Sequence, residues 1–217
     1  MPKATLPGSV QAAAPGLLGF DVNSPMTAAG LAAFKQEGYS FCIRYLPRTA
    51  SLLKGNLTNP EAQIILNAGM ALMPVQHVSL PGWQPNTNLG TQYGSFAATY
   101  AKEIGLPTGI NVWCDLEGVA TGTPPQDVIA YCQAWYNAIH VAGYVPGVYV
   151  GYDTMLTPDQ LYNDISFQHY WRAYNGPQVT TRGFQLIQKT EKTINGITFD
   201  PDLTQHDGLG DSILWLA

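Results

Sequence analysis

Short apolar runs alternate with helix-patterned segments from residue 17 to the end of the chain, and this alternation narrows the possible folds more than any other feature. LLGFDVN (17–23) reads as a strand and TAAGLAAFKQEG (27–38) as a helix closed by Gly38. FCIRYL (41–46), ALMPVQHV (71–78), NVWCDLE (111–117) and VPGVYVG (145–151) repeat the strand signal, with helical patterns at 59–69, 88–105, 124–142 and 157–165. HYWRAY (169–174), FQLIQK (184–189) and GITFDPD (196–202) follow as strands with little helix among them. Strands alternating with helices predict a parallel sheet wound with helices. Eight strands in about 200 residues predict an α/β fold of one domain, a small (β/α)8 TIM-like barrel over 17–217 with its later helices shortened. The alternative is a doubly wound open sheet, whose marker, a GxGxxG turn after the first strand, is missing. Residues 1–16, MPKATLPGSVQAAAPG, read as a flexible leader.

Composition removes several function classes. Charged residues are only 12% of the chain and the net charge is −5, with no basic run. A phosphate backbone would find few cations here, so no nucleic-acid partner is expected. No window reaches the ~18–20 apolar residues of a membrane span. Residues 1–16 lack the apolar core of a secretion signal. Cys42, Cys114 and Cys132 are too few and too widely spaced for a zinc site or a disulfide framework and read as buried thiols, with one disulfide left open. Twelve Tyr, five Trp and seven Phe beside neutral hydrogen-bonding side chains suit sugars, which are polar but uncharged.

Side chains alternate across a strand, so parity sorts them. In 17–23, Gly19, Asp21 and Asn23 share one face. In 111–117, Trp113, Asp115 and Glu117 share one, and in 196–202 Thr198, Asp200 and Asp202 do. If the opposite, apolar faces meet the helices, the acids point into the barrel at the carboxyl ends of their strands, the rim where barrel active sites lie. The chain has only 15 acids, and buried carboxylates are costly, so this gathering reads as functional. Crowded carboxylates repel, and at least one is expected to stay protonated near neutrality, as glycosidic cleavage needs. A hard cation held by the same oxygens is the competing explanation. No GxSxG elbow supports a serine nucleophile. His77, near the end of its strand, is a candidate for the cleft. Trp171 either stacks on a sugar or plugs the barrel, and Trp83, in a Pro- and Gly-rich loop, is the candidate for an exposed sugar platform. Arg44 is expected to bridge to a rim acid.

GFDVN (19–23), WCDLE (113–117), GVYVGY (147–152), HYWRAY (169–174) and GITFDPD (196–202), in this order, resemble the family 25 glycoside hydrolases, lysozyme-type muramidases on a small β/α barrel. A sister family, the glycoside-hydrolase-like domain of unknown function 1906, is similar in GFDVN, IRYL (43–46) and the D-x-E strand. The resemblance spans roughly residues 17–210. It implies Glu117 as proton donor, Asp115 as the group that orients substrate or steadies positive charge at the sugar, and Asp21 and Asp200 as further catalytic acids. It implies Tyr149 and Trp171 as an aromatic pair lining the cleft. Asp202 is an extra acid on the last strand, placed with Arg44, Trp83 and His77 among the substrate-binding residues.

The expectation is a glycoside hydrolase acting on a β-linked amino-sugar glycan, bacterial peptidoglycan foremost, with no cofactor and no metal. The alternative is a module that binds the same glycan without cutting it. Action on a cell wall places the protein outside the cytoplasm, by a signal-independent route or after signal removal.

Overall fold

The computed structural model describes residues 5–51 and 53–217. The chain runs through β1 (Val10–Ala12), β2 (Leu18–Val22), α1 (Ala28–Gln36), β3 (Phe41–Leu46), α2 (Asn59–Asn67), β4 (Ala71–Gln76), α3 (Thr87–Ile104) and β5 (Asn111–Leu116). It continues with α4 (Pro125–Val141), β6 (Val145–Val150), α5 (Pro158–Asn163), β7 (His169–Arg172), β8 (Leu186–Gln188), β9 (Lys192–Ile194), β10 (Ile197–Thr204) and β11 (Leu214–Leu216). Strands β2 to β8 pair in chain order, all parallel, and β10 closes the barrel by pairing with both β8 and β2. The result is a closed eight-stranded α/β barrel of one domain. Its later helices are shortened as expected: α5 has 6 residues, and no helix separates β7, β8 and β10 among the described residues.

The closing strand departs from the sequence reading, because β10 is antiparallel to both neighbours. A parallel return needs a crossover of a dozen or more residues. Residues 189–196 are too few, and they form the hairpin strand β9 instead. The chain therefore comes down from the rim, and Asp200 sits opposite Asp21 near the start of β10, not at a carboxyl end. Asp202, opposite Gly19, lies one pleat deeper.

Parity divides the apolar residues into two cores. Phe41 and Ile43 of β3, Met73 and Val75 of β4, Trp113 of β5 and Leu186 of β8 fill the barrel. Their outward neighbours, such as Cys42, Leu72, Val112 and Val148, pack under the helices. The interior is narrow: a Cβ on Gly147 would overlap the Trp113 ring, so glycine there is what admits the indole. Helix starts follow the expected chemistry, with Thr27, Asn86 and Thr157 accepting from Gly30 N, Leu89 N and Gln160 N.

The expected flexible leader is in part a built element. β1 pairs with β11, which also touches β4 at Leu72. Ala13 N donates to Ile213 O at 2.9 Å and Gly16 N to Thr204 O at 2.8 Å. Ala13, Ile213 and Trp215 join the interior core and close the bottom of the barrel. Residues 1–4 of that segment lie outside the described residues. All three cysteines are free and buried. No described helix is long and apolar enough to cross a membrane.

Candidate active site

A cleft of about 110 Å³ opens at the carboxyl-end rim, lined by Tyr45, Val75, Asp115, Glu117, Tyr149, Trp171, Gln188 and Asp200. Five strands supply its polar groups. Asp115 is the last inward residue of β5, and Glu117 follows one pleat higher, just past the strand end. Tyr149 lies beside Asp115 across the β5–β6 ladder.

Asp21 stands behind this mouth, held from two sides. Tyr45 Oη donates to its Oδ1 at 2.9 Å and Gln188 Nε2 to its Oδ2 at 2.8 Å. Gln188 Oε1 in turn accepts from Tyr149 Oη at 2.8 Å. Burial raises both phenols, so Tyr45 and Tyr149 stay protonated and serve as donors. The chain Tyr149–Gln188–Asp21–Tyr45 thus ties four strands together across the barrel mouth.

Every acid of the group is pushed toward its neutral form. Burial lifts Asp21 to about 7, with the Asp200 and Glu117 charges adding to it against its two hydrogen bonds. Burial, then the neighbouring Glu117, raises Asp115 well above the usual carboxylate range. Asp115 Oδ2 accepts from Val78 N at 3.3 Å, while its Oδ1 is buried without a partner. Glu117 is raised by burial and by Asp200, and Asp200 by burial and by Glu191. These carboxyls repel one another, which disfavours their ionising together. The crowding and burial together favour proton retention in the mouth above the ordinary carboxylate range, the condition that acid-assisted bond cleavage uses. Among the described residues, no three His, Cys, Asp or Glu side chains group closely enough to hold a metal ion.

The raised carboxyl of Asp21 has a measurable consequence. The unfolded chain loses this proton near pH 3.9, whereas the folded chain holds it until about 7. Its stabilising contribution is complete below about pH 4 and is lost as pH rises through about 7. Urea-unfolding stability measured from pH 4 to 7 is expected to decline less steeply in Asp21→Asn than in the parent. Equal slopes would refute this assignment.

Four sequence expectations are corrected. Arg44 faces the helices, not the cleft: its Nε meets Glu61 Oε1 of α2 at 2.6 Å, because β3 turns Tyr45 inward and Arg44 outward. Trp83 is no exposed platform. It is 8% exposed, packs edge-on against Tyr131, and its Nε1 donates to the Glu117 carbonyl at 2.8 Å. Trp171 lines the cleft as expected, and at 1% exposure it takes the plug reading of the two left open for it. Asp202 is sealed beneath it, accepting from Trp171 Nε1 at 2.9 Å, and burial holds its carboxyl well above the usual range. His77 reaches the rim but outside the acid cleft, stacked on Tyr45 at 4.1 Å between ring centres.

Tyr45 and Gln188 were missed, although parity marks both. Ile43 pairs with Asp21 and Gln188 with Asp202, so Tyr45 and Gln188 share the inward face with the acids. Gly151 also belongs to the site. A Cβ there would overlap the Glu117 Cβ and come within 2.5 Å of its Oε2. Gly151→Ala is therefore expected to displace the Glu117 carboxyl with the barrel intact, which a crystal structure of the variant would show. An unmoved Glu117 would contradict it.

A small barrel with seven parallel strands, an antiparallel closing strand and acids at its mouth defines the class of glycoside-hydrolase-like β/α barrels. The chain belongs to the Rv2525c-like, glycoside hydrolase-like domain family, whose model matches residues 32–204. The fold is similar to an uncharacterized B. stearothermophilus protein, at TM-score 0.68 and 19% identity, covering 88% of this chain and 96% of that one. It is similar to the Tat-secreted protein Rv2525c of Mycobacterium tuberculosis, solved in complex with HEPES, at 0.66 and 14%, covering 91% and 98%. A family 25 glycosyl hydrolase from Bacillus anthracis matches at 0.59 and 13%, covering 88% and 89%. A search of curated proteins found no match. At these identities the likeness carries the fold.

Proposed function

We propose that the chain is a glycoside hydrolase that cuts a β-linked amino-sugar glycan, with bacterial peptidoglycan as its substrate and Glu117 as the general acid. The observation that carries this reading is the pair Asp115 and Glu117 on one face of β5 and its extension, both raised, with Glu117 the more exposed of the two. Glu117 gives its proton to the leaving glycosidic oxygen. Asp115, on the same face one pleat below, steadies positive charge at the sugar through an attacking water or the substrate's own 2-acetamido group. Water completes the bond at the anomeric carbon, and its proton returns to the carboxyl pair. Asp21 and Asp200 hold the field of the mouth, and Tyr149 lines its wall.

The muramidase-like motifs and the family 25 fold support the glycan class. The secreted mycobacterial relative supports action outside the cytoplasm, at the wall. The test is release of reducing ends from purified peptidoglycan by the wild type. Binding to the insoluble wall without release would instead favour a glycan-binding module. Neither release nor binding would overturn the substrate.

A further inference from the structure

A second hollow, of about 350 Å³, opens on the same rim beyond the Tyr45–His77 stack. The loop after β2 supplies Asn23, Ser24 and Pro25, and the loop after β3 supplies residues 53–56. Its chemistry is the reverse of the acid cleft beside it. No carboxylate is among its described lining residues, and Lys54 brings a cation. Pro25 and Leu53 add apolar wall. Asn56 is the most telling member. It is 2% exposed, its Oδ1 accepts from Leu53 N at 2.7 Å, and its Nδ2 is buried with no partner. Buried donors in folded proteins are almost always answered, so an orphan at the wall of a hollow points to a ligand. Asn23, which is exposed, adds a second amide at the lip of the hollow. Its Oδ1, an oxygen that can only accept, lies 3.2 Å from His77 Nε2, and burial lowers His77 to about 4, which keeps the ring neutral. The amide N–H groups of Asn23 are thereby left for another acceptor.

We propose that this hollow is a subsite for an acidic substituent of the glycan, a carboxylate on a short aliphatic arm, held by Lys54 and by the amides of Asn56 and Asn23. The sugar bearing it lies in the acid cleft on the other side of Tyr45. This rests on the glycan-hydrolase reading and adds to it what the substrate must carry. The cation is needed, since an anionic ligand approaching a mouth lined with acids would otherwise be repelled. In peptidoglycan the carboxylate has two sources, the lactyl ether of the sugar or the peptide attached to it.

The test measures binding, so it does not depend on turnover. Three probes are titrated by calorimetry at pH 7: the N-acetylglucosamine disaccharide, the same disaccharide carrying a lactyl acid, and that compound extended by a dipeptide. The lactyl or the dipeptide form is expected to bind about tenfold more tightly than the neutral disaccharide, the size of one charge-assisted contact. Which acid gains tells the two sources apart. The preference should fall toward one in Lys54→Gln and in Asn56→Asp, which keeps the acceptor for Leu53 N, and persist in Lys54→Arg. Equal binding of all three probes by the wild type would overturn the subsite and leave the glycan reading standing. A preference that survives both Lys54→Gln and Asn56→Asp would overturn its location. Binding of none would overturn the subsite together with the glycan reading.

Discussion

Replacing Glu117 by Gln is expected to slow release of reducing ends from peptidoglycan by about 10³-fold, inside the ~10²–10⁴ that a positioned general acid contributes. The amide keeps the shape and polarity of the side chain but has no proton to give. The loss should fall on kcat, since Glu117 contributes to the transition state more than to binding. Stability should move the other way. Burial and the Asp200 charge hold Glu117 above its ordinary range, so its ionised form is unfavourable in the folded chain at neutral pH. A neutral Gln removes that penalty, and Tm at pH 7 is expected to stay level or rise, the usual exchange of stability for activity at such sites. The wild-type rate should fall on the alkaline side of the raised Glu117 pKa, where the acid is no longer protonated. Asp115→Asn is expected to be impaired as well. Retained activity in both variants would remove the mechanism.

The parts of this site that the sequence displays are those that depend on a period of two. Asp21, Asp115 and Glu117 could be assigned to the inward face because apolar neighbours occupy the alternate positions. Strand direction leaves no such mark: Thr198, Asp200 and Asp202 share a face whether β10 runs up or down. Only the short link over 189–196 distinguishes the two, and it holds the β9–β10 hairpin. Charge also misdirected the reading of β3. Arg44 drew the assignment that belonged to Tyr45, although the pairing of Ile43 with Asp21 turns Tyr45 inward. Trp83 sits in a Pro- and Gly-rich loop that looks exposed, and its burial depends on a partner distant in sequence, Tyr131 of α4. The three-residue β1 carries no periodic signal, and its partner β11 stands at the other end of the chain. Apart from the local β9–β10 hairpin, these features rest on contacts between residues distant in sequence.

The outward turn of Arg44 leads to the second large expected effect. Arg44 is fully buried and spans three segments: its Nε meets Glu61 Oε1 at 2.6 Å, its Nη2 donates to Gly55 O at 2.8 Å, and its Nη1 to Val22 O. Glu61 Oε1 also accepts from Met26 N at 2.9 Å. Arg44→Met removes the cation and strands a buried carboxylate, a change worth about 3–5 kcal/mol. Against a total of about 5–15 kcal/mol this is a large fraction, and the urea midpoint should drop accordingly. Adding Glu61→Leu should recover part of the loss, since paired apolar replacements of buried ion pairs are often near neutral. Recovery should be incomplete, because Val22 O, Gly55 O and Met26 N are then left without their partners. The same two carbonyls connect the pair to the proposed subsite. Val22 precedes Asn23, and Gly55 lies between Lys54 and Asn56, so Arg44 holds both walls of the donor-lined hollow from behind. The double variant is therefore expected to fold yet bind the acidic and neutral disaccharides more nearly alike than the wild type does. A single Arg44→Met variant that unfolds at the wild-type urea midpoint would show that the pair contributes little to the fold.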